Sequence, residues 1–329
     1  MEMEQLKQTK HHFSKLGLMY FLGTLIITGI QLAGIILIQQ LSPDILQDNN
    51  LYLISAMLPM YIISMPLMAL LIRTVPASHI KKRRMSAGQW ILAFMMCYAV
   101  MYLSNIIGNL ITTLIGAAKG EPVTNAIIEV ASGISPLVSM LIMVLLAPIA
   151  EELIFRKMLI DRVVRYGEGC AVLLSGVMFG LFHGNLNQFA YAFTLGVFFG
   201  FIYVKTGKIV YTILMHMVVN FLGSVVSLLL LRFSGYEQMM NLMNTPEAII
   251  PYVMDHLVQL SIFFLYLIAV LGVTIAGIVL LIVNAKKFTT YPGEIEIPGG
   301  SRFSVIFLNV GMILFCVYWI IQIILQLFQ

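Results

Sequence analysis

Two adjacent carboxylates, Glu151 and Glu152, stand inside an apolar run where a charge has no water to meet. Of the fifteen acidic residues only these two fall within the body of a predicted membrane span, and of the six histidines only His183 and His216 do so. Asn220 follows His216 by four residues. Unneutralised charges in hydrocarbon cost on the order of several kcal/mol, so ionisable groups placed there are read as functional. Carboxylates and imidazoles exchange protons, and that is the chemistry this set could do.

Helical spacing sorts these groups. Residues four apart share a face, while neighbours diverge by about 100°. Glu152 and Arg156 therefore share a face, with the acid N-terminal to the base, which is the favoured orientation. Glu151 points elsewhere and has no cation at that spacing. The simplest division holds Glu152 in a structural ion pair and leaves Glu151 for chemistry. His216 and Asn220 share one face of their helix, as Phe179 and His183 do of theirs. Pro148, just upstream, lacks the amide that would bond the Val144 carbonyl, and so is expected to bend the helix. Taken singly, some of these residues have structural readings. Asn220 reads equally as an interhelical hydrogen-bonding group worth about 0.6–2 kcal/mol, Arg156 as an anchor at the membrane edge, and Phe179 as packing.

The elements that must position them follow from composition. The chain is 60% apolar and 10% charged over 329 residues, against roughly a quarter charged in soluble proteins. No soluble fold of this size hides so much apolar surface. The expected fold is therefore all-α: a polytopic transmembrane bundle of about 8–9 spans, each of roughly 20 apolar residues. Nine segments qualify, at about 16–38, 51–72, 89–116, 134–158, 170–186, 187–203, 209–231, 259–283 and 304–327. The fifth and sixth are separated only by the polar stretch His183 to Gln188. Basic residues precede the first span at Lys7, Lys10 and Lys15, and follow alternate spans at Lys81 to Arg84; Lys157, Arg162 and Arg165; Lys205 and Lys208; Lys286 and Lys287. The opposite loops hold Asp44, Asp48, Glu121, Glu129, Glu237, Glu247 and Asp255. By the positive-inside rule this predicts a multi-pass protein of the cell membrane with a cytoplasmic N-terminus. The first apolar run is expected to be a retained helix rather than a cleaved signal peptide.

The net charge of +4 is a topology signal, not a nucleic-acid footprint. Cys97, Cys170 and Cys316 are far apart and suggest neither disulfide nor zinc site. Segments 121–133 and 236–257 are expected as short helices in the outer interface. Residues 284–302, with two Pro-Gly turns, read as a connector. Counted from the basic side, Glu151 lies about two turns in and His216 and Asn220 two to three. His183 lies deeper if its helix starts at Cys170, and needs a later start or a tilt to come level. No internal repeat is visible, which counts against a transporter built from inverted repeats.

Glu151-Glu152-Leu153-Ile154-Phe155-Arg156 fits EExxxR, Phe179 to His183 fits FxxxH, and His216 to Asn220 fits HxxxN. In this order the chain resembles the CPBP (CAAX protease and bacteriocin-processing) family of intramembrane proteases over about residues 134–225. That family includes the type II CAAX prenyl endopeptidases and bacterial proteins linked to bacteriocin processing and self-immunity. The resemblance suggests three parts: N-terminal transmembrane helices over 1–133, catalytic core helices over 134–231, and C-terminal transmembrane helices over 232–329. It implies an endopeptidase in the membrane lipid bilayer, acting on a hydrophobic or lipidated peptide or protein, with no nucleic-acid partner. Glu151 and His183 would activate a water, His216 and Asn220 would hold the developing oxyanion, and Glu152 would assist. Arg156 and Phe179 would support the site. No cofactor is favoured, since the HExxH spacing is absent. If a divalent metal such as zinc takes part, Glu151, His183 and His216 are its expected ligands. The alternatives are a non-proteolytic bacteriocin self-immunity or binding protein on the same scaffold, and a proton-coupled transporter with Glu151 and His183 as relay.

Overall fold

An apolar segment in lipid must satisfy its backbone amides within itself, and a helix does so with a single chain segment. The computed structural model describes residues 2–123 and 133–328, and among these every regular element is helical. The chain is a polytopic helical bundle and a multi-pass membrane protein. Among the described residues seven helices are long and apolar enough to cross a bilayer: α1 (Met3–Leu41), α2 (Asn49–Ile72), α3 (Ala87–Lys119), α4 (Pro136–Tyr166), α6 (Leu186–Thr206), α7 (Val210–Ser234) and α10 (Leu257–Lys287). Between α4 and α6 lies α5 (Glu168–Phe182), and after α7 come two short helices, α8 (Tyr236–Asn241) and α9 (Pro246–Asp255). The last pair, α11 (Gly299–Ile306) and α12 (Val310–Gln326), is bent by 68° and makes an eighth span if counted as one.

Against the nine segments that qualified and the about 8–9 spans expected, the described residues hold seven crossing helices, or eight with the bent pair, which is the lower of the expected numbers. The fifth expected span is the 15-residue α5, short of the ~20 residues a crossing needs. The ninth is broken where Asn309 caps α12: its side chain accepts from the Met312 amide at 3.1 Å and donates to the Val305 and Ile306 carbonyls at 3.0 and 2.9 Å. The short helices expected in 236–257 are present as α8 and α9. Of the segment 121–133, residues 124–132 lie outside the described residues.

The basic loops gather at one end of the bundle. Lys15 Nζ donates to the Thr74 carbonyl at 2.9 Å, the Arg83 amide to Thr206 at 2.7 Å, and Lys205 pairs with Glu168. Residues 284–302 do more than connect. The Glu168 amide donates to the Tyr291 carbonyl, and the Ile295 amide donates to Arg165, each at 3.0 Å.

The span carrying the glutamates also runs further than expected. Helix continues from 158 to Tyr166 and buries Asp161 and Arg162. Asp161 receives Lys157 Nζ at 2.5 Å and the Tyr203 hydroxyl at 2.8 Å. This extension resolves the depth mismatch. His183, just past the end of α5, stands about 22 Å from the start of that helix, and Glu151 stands about 22 Å from the end of α4, at 1.5 Å per residue.

α5 and α6 form a hairpin turned at Gly184, whose φ of +64° favours glycine. Their closeness is set by paired glycines, since a Cβ built on Gly196 would come within 2.7 Å of the Gly176 Cα. On the Gly196 side the nearest atoms are all backbone of Gly176. Gly196→Leu should therefore force α6 off α5 and lower the midpoint of thermal unfolding in detergent, with a loss of at least the ~1–3 kcal/mol typical of overpacking. An unchanged midpoint would mean that the two helices are not in contact there.

Candidate active site in the membrane core

Arg156 is the side chain around which the site is built. It is fully buried, as is its partner Glu152. Arg156 Nη2 lies 3.0 Å from Glu152 Oε1, the (i, i+4) pair expected from spacing. The guanidinium also rests on two aromatic faces, at 4.1 Å from the Phe179 ring of α5 and 5.4 Å from the Phe199 ring of α6. Its Nε and Nη1 have no hydrogen-bond acceptor, so the rings stand where further acceptors would.

Glu152 in turn holds α7. His216 Nδ1 lies 3.1 Å from the same Oε1, and the Thr212 hydroxyl lies beside the carboxylate. The Nδ1 proton thus goes to Glu152, and His216 Nε2 faces the other glutamate, 3.8 Å from Glu151 Oε2. Glu151 meets no lysine or arginine ion pair among the described residues. The Tyr61 hydroxyl of α2 also lies beside it.

His183 is oriented by the helix end it occupies. As the C-cap of α5 it donates Nδ1–H to the Phe179 carbonyl at 2.8 Å, which leaves Nε2 as the acceptor. The Phe179 ring stands edge-on to both imidazoles, 4.7 Å from His183 and 5.9 Å from His216. Trp319 of α12 covers the far side of the turn, where a Cβ on Gly184 would meet its ring at 3.1 Å. No hydrogen bond or ion pair joins His183 to Glu151 among the described residues. Tyr191 of α6 stands near both, its ring 6.4 Å from the His183 ring, with its hydroxyl accepting from Gln188 at 2.7 Å.

Asn220 is committed elsewhere, for a reason that starts at Pro148. Residues Met140–Leu146 are wound as π-helix, so that the Ala147 amide bonds the Ile142 carbonyl, five residues back. In that register the amide Pro148 lacks would have served Met143, not Val144 as an α-helical count gives. Asn220 Nδ2 donates to the Met143 carbonyl at 2.7 Å and replaces it. Further π segments lie at Leu153–Met158, directly after the glutamates, at Phe221–Val226, directly after Asn220, and at Met60–Ser64, which carries Tyr61. Such insertions recur at functional sites.

The structure thus brings Glu151, Glu152, Arg156, Phe179 and His216 into one cluster, with His183 across the Phe179 ring and Asn220 bound to the backbone of α4. Sequence reasoning missed Tyr61, Tyr191, Thr212 and Phe199. A search for charges passes over neutral hydroxyls, although a tyrosine buried in a span also needs a polar partner. The expected metal ligands Glu151, His183 and His216 do not converge. Among the described residues no three His, Cys, Asp or Glu side chains group so as to hold an ion.

A family model described as type II CAAX prenyl endopeptidase Rce1-like matches residues 133–222, the stretch that carries all three motifs. The chain is also 27% identical over 163 residues to the protein described as "Putative membrane peptidase YdiL" of Bacillus subtilis (strain 168). That match covers 49% of this chain and 66% of the relative, just under two thirds of the relative's length. No solved structure matches the chain. Both likenesses agree with the resemblance to CPBP-family proteases drawn from the motifs, and neither names bacteriocin immunity.

Breaking the buried pair from one side should be severe. Arg156→Met and Glu152→Gln are each expected to destabilise the protein by about 3–5 kcal/mol, and the double variant by clearly less than their sum, because neither charge is then stranded. Unfolding of the three variants in detergent measures this, and additive losses would contradict the pairing. Asn220→Leu should cost about 1–3 kcal/mol by leaving the Met143 carbonyl unsatisfied.

Proposed function

We propose that the chain is an intramembrane endopeptidase that hydrolyses a peptide bond of a membrane-associated, hydrophobic or lipidated substrate with a water activated by Glu151 and His183. The observation that carries this reading is the division of labour between the paired carboxylates. Glu152 is consumed by Arg156 and His216, whereas Glu151 is buried beside His216 Nε2 and the hydroxyls of Tyr61 and Tyr191, with no lysine or arginine ion pair among the described residues. A carboxylate kept in a dry site without a cation locked to it is suited to act as a general base.

Each step then falls to a named atom. Glu151 takes a proton from the water as its oxygen attacks the peptide carbonyl, and His183 Nε2, held as an acceptor by its Nδ1 bond, orients the same water. The tetrahedral oxyanion needs donors. His216, when it carries a proton on each nitrogen, supplies one from Nε2 while its Nδ1–H stays on Glu152, and the second amide hydrogen of Asn220 supplies another. Glu151 returns its proton to the leaving amine. The base is carried by α4, the water-orienting group by α5 and the oxyanion donors by α7, so substrate entry requires an approach between helices.

The sidedness of the loops supports placing the basic end in the cytoplasm of a cell whose membrane the bundle spans, with the N-terminal end of α1 on that side. The same geometry favours proteolysis over immunity by binding alone, because a binding scaffold has no use for an unlocked buried carboxylate.

The test is cleavage in proteoliposomes, using a panel of hydrophobic and C-terminally lipidated fluorogenic peptides. Glu151→Gln should lower turnover by about 10²–10⁴-fold while the unfolding midpoint stays close to that of the parent, and His183→Ala should follow. Correctly inserted variants that retain full cleavage would overturn the proposal. Dialysis against a chelator should leave cleavage intact if Glu151 and His183 activate the water without a metal, whereas loss of cleavage would point to an ion held by Glu151, His183 and His216.

A further inference from the structure

At the basic end of the bundle, far from the glutamates in sequence, a cavity of about 340 Å³ opens between the start of α3 and the ends of α6 and α10. This volume is within the roughly 300–1,000 Å³ of small-ligand sites. Its wall has two distinct parts. Arg83, Arg84 and Lys287 line one, and Met96, Phe198 and Phe201 line the other. No carboxylate lines it among the described residues. Lys205 also borders the cavity but is neutralised by Glu168, whereas Arg83, Arg84 and Lys287 enter no ion pair among the described residues. The N-terminus of the 33-residue α3 opens beside them, adding the positive end of a helix dipole.

We propose that this cavity binds one anionic phospholipid, with its phosphate among Arg83, Arg84 and Lys287 and the first part of an acyl chain against Met96, Phe198 and Phe201. Three unpaired cations call for an anion. The adjoining apolar wall distinguishes a lipid from a soluble phosphate, which gains nothing by facing phenyl rings. Location fits as well. The charged part sits at helix ends, where headgroups lie, and the apolar part sits one to three turns further along α3 and α6. The outer face of α10 beside the cavity is open to the bilayer, with Ile282 and Val283 exposed. Basic pockets between membrane helices on the cytoplasmic side hold acidic headgroups by this chemistry. The proposal does not depend on the protease reading, because none of these residues belongs to that site.

The full-length protein, purified in detergent, is exposed to mixed micelles of phosphatidylglycerol and phosphatidylcholine, and retained lipid is counted by native mass spectrometry. The parent should retain phosphatidylglycerol about 10-fold over phosphatidylcholine, as three cations at about 1 kcal/mol each allow. Arg83→Gln/Arg84→Gln/Lys287→Gln should fall to near parity. A control that loses the same charge elsewhere, Lys7→Gln/Lys10→Gln/Lys82→Gln, should behave as the parent. Met96→Trp, which fills the apolar part and leaves every charge in place, should also lose the preference, and it stands in if the triple variant fails to fold. No preference in the parent, a preference surviving in the triple variant and in Met96→Trp, or equal loss in the control would each overturn the proposal. Displacement of the lipid by millimolar inorganic phosphate or by a soluble acidic peptide would overturn it too, by identifying a different occupant.

Discussion

Arginine carries its charge wherever the chain puts it, and a bundle that buries one must bring everything that charge requires. Arg156 is fully enclosed. It is met by Glu152 on its own helix, by the Phe179 ring from α5 and by the Phe199 ring from α6. Glu152 then takes the Nδ1 side of His216 from α7. One guanidinium therefore sets the positions of four helices relative to each other. A buried ion pair gives little net stability against an apolar replacement, but here it fixes which way the remaining polar groups face. Because Glu152 uses the inner nitrogen of His216, the outer one has only Glu151 to face.

The π segments act on the same site through the backbone. A π turn shifts each following side chain around its helix relative to an α-helical count. The glutamates lie between two such turns of α4, so their directions owe as much to the altered register as to spacing. The altered register also creates a hydrogen-bonding vacancy at Met143, and Asn220 fills it from α7. The motif asparagine thus stitches α7 to the helix that carries the glutamates, and the same amide nitrogen has a second hydrogen left to offer.

Much of this was legible in the sequence because membrane placement makes charge conspicuous. The Glu152–Arg156 pair, the shared face of His216 and Asn220, and the division between the two glutamates all follow from (i, i+4) spacing. The basic loops identified themselves by alternation, and they meet at one end of the bundle. The hidden features have physical causes. Tyr61, Tyr191 and Thr212 are neutral, so no charge count reveals them. The π register breaks the 3.6 period on which the Val144 assignment rested. Hydropathy does not register that Asn309 can cap a new helix inside an apolar run, and so 304–327 read as one span. The end of α4 was misplaced because Asp161 and Arg162 look like loop residues, yet each finds partners, Tyr203 for one and the Ile72 and Met158 carbonyls for the other.

Trp319 ties the order of synthesis to the completion of this centre. The turn that presents His183 is formed by Gly184, and the surface against which it rests belongs to α12, more than a hundred residues later in the chain. Membrane helices are delivered in sequence as the ribosome proceeds. α4 to α7 can therefore be in the bilayer, with the glutamates paired and buried, while the histidine turn is still uncovered. The final support arrives only when Trp319 emerges and α12 folds back against α5. Maturation of the centre is in this sense clocked by translation.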